Sequence, residues 1–342
     1  MKKFFKRICY KLPFFGYLLK RIDSLEEKIA DQNADLVLLY HEFRTVYQEL
    51  QIQAALTEEY PYSHLCQKVS EIYFQKTGKV LNLKNPQSVN EKIQWLNIFD
   101  RTPIKSVLAD KYAVRDWVSA KIGSKYLIPL LGVWDFAEQI DFDTLPNKFV
   151  LKANHGSSMN LIVKDKNSLD RTATLKLLAD WLKKDFSNYS ELHYHNIPRK
   201  LIAEKYIADS NNELNDYKFF CFNGDVGFIW VDIGRYSDHK RNVYDANFKF
   251  LEDISICYPQ DKKRIIPKPE NFEEMIELVK KLADGFPCVR VDLYNVDGNI
   301  YFGEMTFTSG NGVESFSPES FALKMGERIK LPVVQETIKT QA

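Results

Sequence analysis

Two stretches of alternating residues, each broken by a dipeptide that favours a tight turn, constrain this chain most. YKFFCFNGDVGFIWVDIG turns at Asn223-Gly224, and VRVDLYNVDGNIYFGEMTF turns at Asp297-Gly298. A period of two sends successive side chains to opposite faces, and Asn-Gly or Asp-Gly supplies the positive φ that hairpin turns require. Both stretches read as antiparallel hairpins. Shorter β-rich runs, KFVLKAN and KLIAEKYI, are interspersed with two strong helical patterns, TATLKLLADWLKKDF and NFEEMIELVKKLADGF. Strands interrupted by helices indicate an α+β fold. Before about Tyr126 the pattern is helical, with NEKIQWLNIFD and ADKYAVRDWVSAKIG both showing helical apolar spacing.

The register of the second hairpin decides its chemistry. A two-residue loop at Asp297-Gly298 sets Val296 against Asn299 and sends Asp292 and Glu304 to opposite sides of the sheet. A three-residue loop, Val296-Asp297-Gly298, with Gly298 in the left-handed region, puts Arg290, Asp292, Glu304 and Thr306 on one face. Only the odd-membered loop lets the two carboxylates share a magnesium ion that bridges nucleotide phosphates. That register is the expectation, beside the ordinary alternative of a solvated hairpin face.

Three other segments carry chemistry. FVLKANHGSSMNLIV brings Lys152 on a strand into a small-residue loop at His155, Gly156, Ser157 and Ser158, where backbone amides can cradle phosphate. The stretch VDIGRYSDHKRNVYD gathers Asp232, Arg235, His239, Lys240 and Arg241, which suits an anionic substrate or a solvated loop. Asp141-Phe142-Asp143 has the spelling of a metal site in nucleotide-sugar transferases, and also that of a turn entering the next strand.

Composition narrows the partners. Lys plus Arg number 47 against 46 for Asp plus Glu, so no global field gathers nucleic acid. The five cysteines (Cys9, Cys66, Cys221, Cys257 and Cys288) match neither a metal knuckle nor a disulfide framework, which reads as a reducing, cytoplasmic compartment. No apolar run reaches the roughly 18 residues of a membrane-spanning helix.

The N-terminal segment, residues 1–21, is basic and interleaved with aromatic and apolar residues, and suits either an anionic inner-leaflet surface or a disordered tail. From Ile22 the apolar residues fall at Leu25, Ile29, Leu36, Leu39, Phe43, Val46 and Leu50, broken by Gln32. That heptad spacing implies a coiled coil and a homo-oligomer through residues 22–50, or else a single amphipathic helix.

Taken in order, NEKIQWL, ADKYAVR, YLIPLLGVW, IDFDTLP, FVLKANHGSS, DYKFFCFNGD, RNVYD, VRVDLY and IYFGEMTF resemble the ATP-grasp proteins related to the teichuronopeptide biosynthesis protein TupA. Proteins of this family occur in bacterial surface-polysaccharide loci and are often labelled glycosyltransferases. The resemblance implies an ATP-grasp fold, antiparallel sheets with helices, over residues 126–332. It would follow a coiled-coil helix at 22–56 and a helical region at 57–125, and precede a tail at 333–342. It also implies ATP and magnesium as cofactors. Lys152, Gly156, Ser157 and Lys218 would contact phosphate, with His155 and Ser158 in the same loop, and Lys111 would also bind the cofactor. Glu204, Lys205, Tyr206 and Ile207 would receive adenine, and Asp292 and Glu304 would hold the metal. Thr306 stands where many relatives carry an asparagine ligand. Arg290, Lys218, Arg235 and Arg241 are the basic candidates for catalysis. The implied reaction activates a carboxylate as an acyl phosphate, which an amine then attacks, on a sugar acid or polysaccharide. A glycosyltransferase and a nucleotide-regulated scaffold are the alternatives.

Overall fold

The computed structural model describes residues 62–185, 191–208, 214–234 and 238–332, together with Ser24. The basic segment at 1–21, the heptads apart from Ser24, Arg235 and the tail at 333–342 lie outside them. Among the described residues, four helices come first: α1 (Tyr62–Thr77), α2 (Val89–Phe99), α3 (Ile104–Ala109) and α4 (Val114–Ile122). Strands β1 (Leu130–Trp134), β2 (Phe149–Ala153) and β3 (Asn160–Val163) follow, then α5 (Arg171–Lys183) and β4 (Leu201–Lys205). Next come β5 (Asp216–Phe222), β6 (Asp225–Ile233), β7 (Lys240–Asp245), β8 (Ser255–Ile256) and α6 (Phe272–Ala283). The last elements are β9 (Cys288–Val296), β10 (Asn299–Thr306), β11 (Phe316–Ser317) and α7 (Glu319–Glu327). The fold is α+β, with helices packed on antiparallel sheets.

Local chemistry explains the helices. At α2 the Ser88 hydroxyl accepts from the Glu91 amide at 3.3 Å while the Glu91 carboxylate accepts from the Ser88 amide at 2.9 Å, a reciprocal cap on two orphan donors. Helix α6 opens with Glu273 and Glu274 and closes with Lys280 and Lys281, charges that oppose its dipole. Its Phe272, Met275, Leu278, Val279 and Leu282 recur at helical spacing and are buried.

Two main sheets result. The smaller has strand order β1-β4-β2-β3 and the larger β10-β9-β5-β6-β7, and their strand pairs are antiparallel. Alternation then decides which face each side chain serves. Phe149, Leu151 and Ala153 of β2 pack with Leu178 and Trp181 of α5, while Val150 and Lys152 point the other way. In the larger sheet Tyr217, Phe219, Ile229, Val231, Val291 and Leu293 join a core with α4 and α6. The opposite face is divided. Phe220, Phe222, Phe228 and Trp230 pack under α2 and α7, whereas Asp216, Lys218, Asp232, Arg290 and Asp292 occupy the rest of it. Burying an aromatic of this kind contributes about 1.5–3 kcal/mol, so the helices cover the apolar half.

The two large hairpins are built alike. Asn223 and Gly224 have φ of 50° and 86°, and Asp297 and Gly298 have φ of 48° and 82°, so each turn is a two-residue primed loop. This corrects the expected three-residue loop at Val296-Asp297-Gly298, because Asn299 pairs with Val296. The two acids still meet. A β-bulge follows the turn: Phe302 pairs with Leu293, but Glu304 pairs with Asp292, leaving Gly303 as the extra residue. The bulge inverts the parity of β10, so Ile300 and Phe302 before it, and Met305 and Phe307 after it, all enter the same core. Glu304 and Thr306 are thereby turned to the polar half-face. The first hairpin repeats the device at Gly227, between the Phe220–Phe228 and Cys221–Val226 pairs.

Candidate functional site

The inner faces of the two sheets enclose a cavity of about 430 Å³. Val150, Lys152 and Glu204 line it from the smaller sheet, and Asp216, Asp232 and Tyr294 from the larger. Lys205, Tyr206 and Ile207, which continue from β4, line it as well. Lys152 is oriented by Glu204 at 2.6 Å, and the same carboxylate accepts from Arg115 at 2.9 Å. A buried carboxylate flanked by two cations fixes the position of both.

Beside the cavity, Lys218 and Asp292 sit two residues inward from Asp216 and Tyr294 on paired strands. Lys218 Nζ lies 2.5 Å from both Asp216 Oδ2 and Asp292 Oδ2. Burial works against that ammonium, but the two carboxylates raise it above its ordinary value. Arg290 completes the group. Its Nε donates to Asp292 Oδ1 at 2.7 Å, and its Nη2 to Asp292 Oδ2 at 2.8 Å and Glu304 Oε1 at 2.7 Å. Burial pushes the Asp292 carboxyl upward against the pull of Arg290 and Lys218. The Thr306 hydroxyl donates to Glu304 Oε1 at 3.2 Å.

Among the described residues, no set of three or more His, Cys, Asp or Glu side chains converges as a metal cage. Magnesium does not require one, because it is commonly held by one or two carboxylates with water and phosphate completing its shell. Asp292 and Glu304, paired across the bulge, fit that role. Arg290 Nη2 bonds to an oxygen of each, which shows that both carboxylates reach one positive charge.

The expected phosphate loop joins β2 to β3. Lys111 donates through its ammonium to the Gly156 carbonyl, and its backbone amide donates to Asn154 O at 3.2 Å. Burial lowers the Lys111 ammonium, while Glu304 raises it, so the loop and the carboxylate pair share one electrostatic field. Ser157 and Ser158 are exposed, and Ser158 has φ of 59°. His155 Nε2 lies 3.2 Å from the Lys184 carbonyl beyond α5, and burial holds the imidazole below its ordinary value. That contact stabilises the loop.

The remaining candidates fall elsewhere. Arg241 pairs with Asp232 at 2.7 Å and lies 3.9 Å over the Trp230 ring, while Lys240 reaches Asp238 at 3.1 Å. Asp141 caps a short turn by accepting from the Asp143 amide at 3.0 Å, and Asp143 pairs with Arg171 at 2.6 Å on the surface. Neither acid lines the cavity.

Sequence reading missed Glu191, which precedes a short 3-10 turn at Leu192–Asn196 and is 7% exposed. Burial lifts its carboxyl to about 7, with Lys111 opposing and Glu304 adding to the shift. The unfolded chain releases this proton near 4.5 and the folded chain near 7. The stabilisation is therefore complete below about 4.5 and is lost as pH rises through about 7, at most about 3 kcal/mol in all. Glu191→Gln should accordingly flatten the fall in melting temperature between those limits. Identical slopes for the variant and the native chain would show that Glu191 titrates normally.

The family model described as TupA-like ATPgrasp matches residues 91–330. No curated protein matches the chain. Among solved structures, D-alanine–D-alanine ligase from Bacillus anthracis complexed with ATP is 15% identical over 69% of this chain and 68% of that one, with a TM-score of 0.37. N5-carboxyaminoimidazole synthetase from Staphylococcus aureus complexed with ADP is 14% identical over 58% of this chain, with a TM-score of 0.36. The chain spans 44% of that synthetase's length. Among the described residues no helix is long and apolar enough to cross a membrane.

Proposed function

From the premise that this chain belongs to the TupA-like ATP-grasp family, we propose that it is an ATP-dependent ligase that joins a carboxylate to an amine on a bacterial surface polysaccharide. The observation that carries this reading is the group Lys218, Arg290, Asp292 and Glu304 at the edge of the cavity between the sheets.

The residues divide the work by position. The backbone from Glu204 to Ile207, lining the cavity, receives the base. Lys152 and Lys111 face the phosphates, with the loop at Gly156 between them and solvent. Asp292 and Glu304 would hold magnesium, which when bound neutralises phosphate charge. Arg290 and Lys218 supply positive charge on which a transferring phosphoryl group relies. In balanced form, a carboxylate oxygen of the acceptor attacks the γ-phosphorus and ADP leaves. The amine then attacks the acyl carbon, releasing phosphate and a proton. Such chemistry depends on positioning and charge more than on a protein nucleophile. Thr306, which has one hydroxyl where an asparagine would offer a carbonyl, leaves the two carboxylates as the principal metal donors.

Titration calorimetry of the full chain with ATP and with a UDP-sugar, each with and without magnesium, tests the reading. Magnesium-dependent binding of ATP alone is expected. Binding of the UDP-sugar without ATP would overturn the ligase in favour of a glycosyl transfer.

A further inference from the structure

Arg290 already bonds to both carboxylates that would hold a metal ion. Its Nη2 touches both carboxylates, and only its Nη1 looks away, donating to Ser309 Oγ at 3.0 Å. Ser309 in turn donates to Glu314 Oε1 at 3.2 Å. A cation between Asp292 and Glu304 needs the lone pairs that this guanidinium holds, and like charges at such range repel. Arg290 must then have somewhere else to bond.

The loop after β10 supplies that place. Gly310, Asn311 and Gly312 run through the left-handed region, with φ of 52°, 56° and 63°. Glycine adopts this region freely and asparagine tolerates it, so the chain can turn tightly here. The turn brings Glu314 back over Gly310, where any Cβ would stand 2.1 Å from Glu314 Cγ. Glu314 is 8% exposed, and its Oε2 has no hydrogen-bond partner among the described residues. Leaving a buried carboxylate oxygen unmatched is costly. Its other cationic neighbour, Arg241, is already committed to Asp232 through Nε at 2.7 Å and Nη2 at 3.3 Å. Arg290 is the remaining neighbouring donor within its field.

We propose that Glu314, acting through Ser309, is a positioning residue that receives the Arg290 guanidinium when Asp292 and Glu304 turn to a divalent cation. The proposal rests on the magnesium role assigned above to the two carboxylates. Without Glu314 the guanidinium has no second counter-ion, remains between the carboxylates and competes with the metal.

Manganese, which suits the same oxygen donors, gives a readout independent of turnover. The full chain is titrated with Mn²⁺ in the absence of nucleotide, following free Mn²⁺ by electron paramagnetic resonance. Glu314→Gln should weaken binding about tenfold, the size of one lost charge-assisted hydrogen bond. Glu314→Asp should recover part of that loss, which a merely structural role for the side chain would not predict. Ser309→Ala, a milder change, should weaken binding in the same direction and serves if Glu314→Gln does not fold. Equal Mn²⁺ affinity in the native chain and in Glu314→Gln or Ser309→Ala overturns the proposal while leaving the ligase reading intact. Absence of Mn²⁺ binding by the native chain overturns the metal role of Asp292 and Glu304 in the free protein and the proposal with it.

Discussion

Replacing Gly303 with valine is expected to do more damage than deleting the residue. Gly303 is the extra residue of the bulge, and a Cβ there would meet Asp292 O at 3.0 Å and the Tyr294 ring at 3.2 Å. A valine relieves that crowding by pairing regularly with Asp292. Glu304 and Thr306 would then turn into the core, while Met305 and Phe307 would turn out of it. Gly303→Val should lose about 2–3 kcal/mol of stability and at least about a hundredfold in ATP turnover. Deleting Gly303 instead lets Glu304 follow Phe302 directly and still stand opposite Asp292. The deletion should retain the core parity and measurable turnover. Urea unfolding and phosphate release on both variants decide the matter, and a deletion as inactive as the valine variant would sink the parity account.

The second large effect separates chemistry from folding within the carboxylate pair. The Glu304 side chain is 38% exposed and pairs with Arg290, whereas that of Asp292 is 2% exposed and serves both Arg290 and Lys218. Glu304→Gln should reduce magnesium-dependent ATP turnover on the order of 10²–10³-fold, typical for loss of one charge-stabilising group. Its unfolding free energy should change by less than about 1 kcal/mol. Asp292→Asn should lose turnover to a similar degree and also about 3–5 kcal/mol of stability, because two buried cations are left short of charge. Native turnover in Glu304→Gln would remove Glu304 from the metal site.

Much of the fold was legible in the sequence, because the signals were local. Asn223-Gly224 and Asp297-Gly298 marked both hairpins, and the amphipathic spacing of 272–283 marked α6. The register of the second hairpin differs from the three-residue-loop expectation, although its signal is present in the sequence. In IYFGEMTF the apolar residues fall on even positions, Ile300 and Phe302, and then on odd ones, Met305 and Phe307, with a glycine between. A parity switch at a strand glycine is the pattern of a bulge. Reading only the loop length left the odd-membered turn as the sole route to a shared face.

The candidate site was legible only where it follows strand alternation, as with Lys152, Lys218, Arg290, Asp292 and Glu304. Glu191 and Glu314 were not. Their importance comes from burial beside side chains distant in the chain, and the short acid-containing stretches around them, SELHYHN and GVESFS, carry no periodicity. Asp141 and Asp143 depart in the opposite sense, since the metal-site spelling there reflects a capped turn and a surface ion pair.

The covering of the apolar half-face by α2 and α7 has a consequence for synthesis. Lys92 on α2 donates to the carbonyls of Gly326 and Ile329, residues 234 and 237 positions later, at 2.7 and 2.8 Å. During translation, Phe220, Phe228 and Trp230 therefore emerge well before α7 exists to meet α2 over them. The part of this aromatic patch that α7 covers stays open on the ribosome until α7 is made, and it is the surface that a chaperone would need to shield.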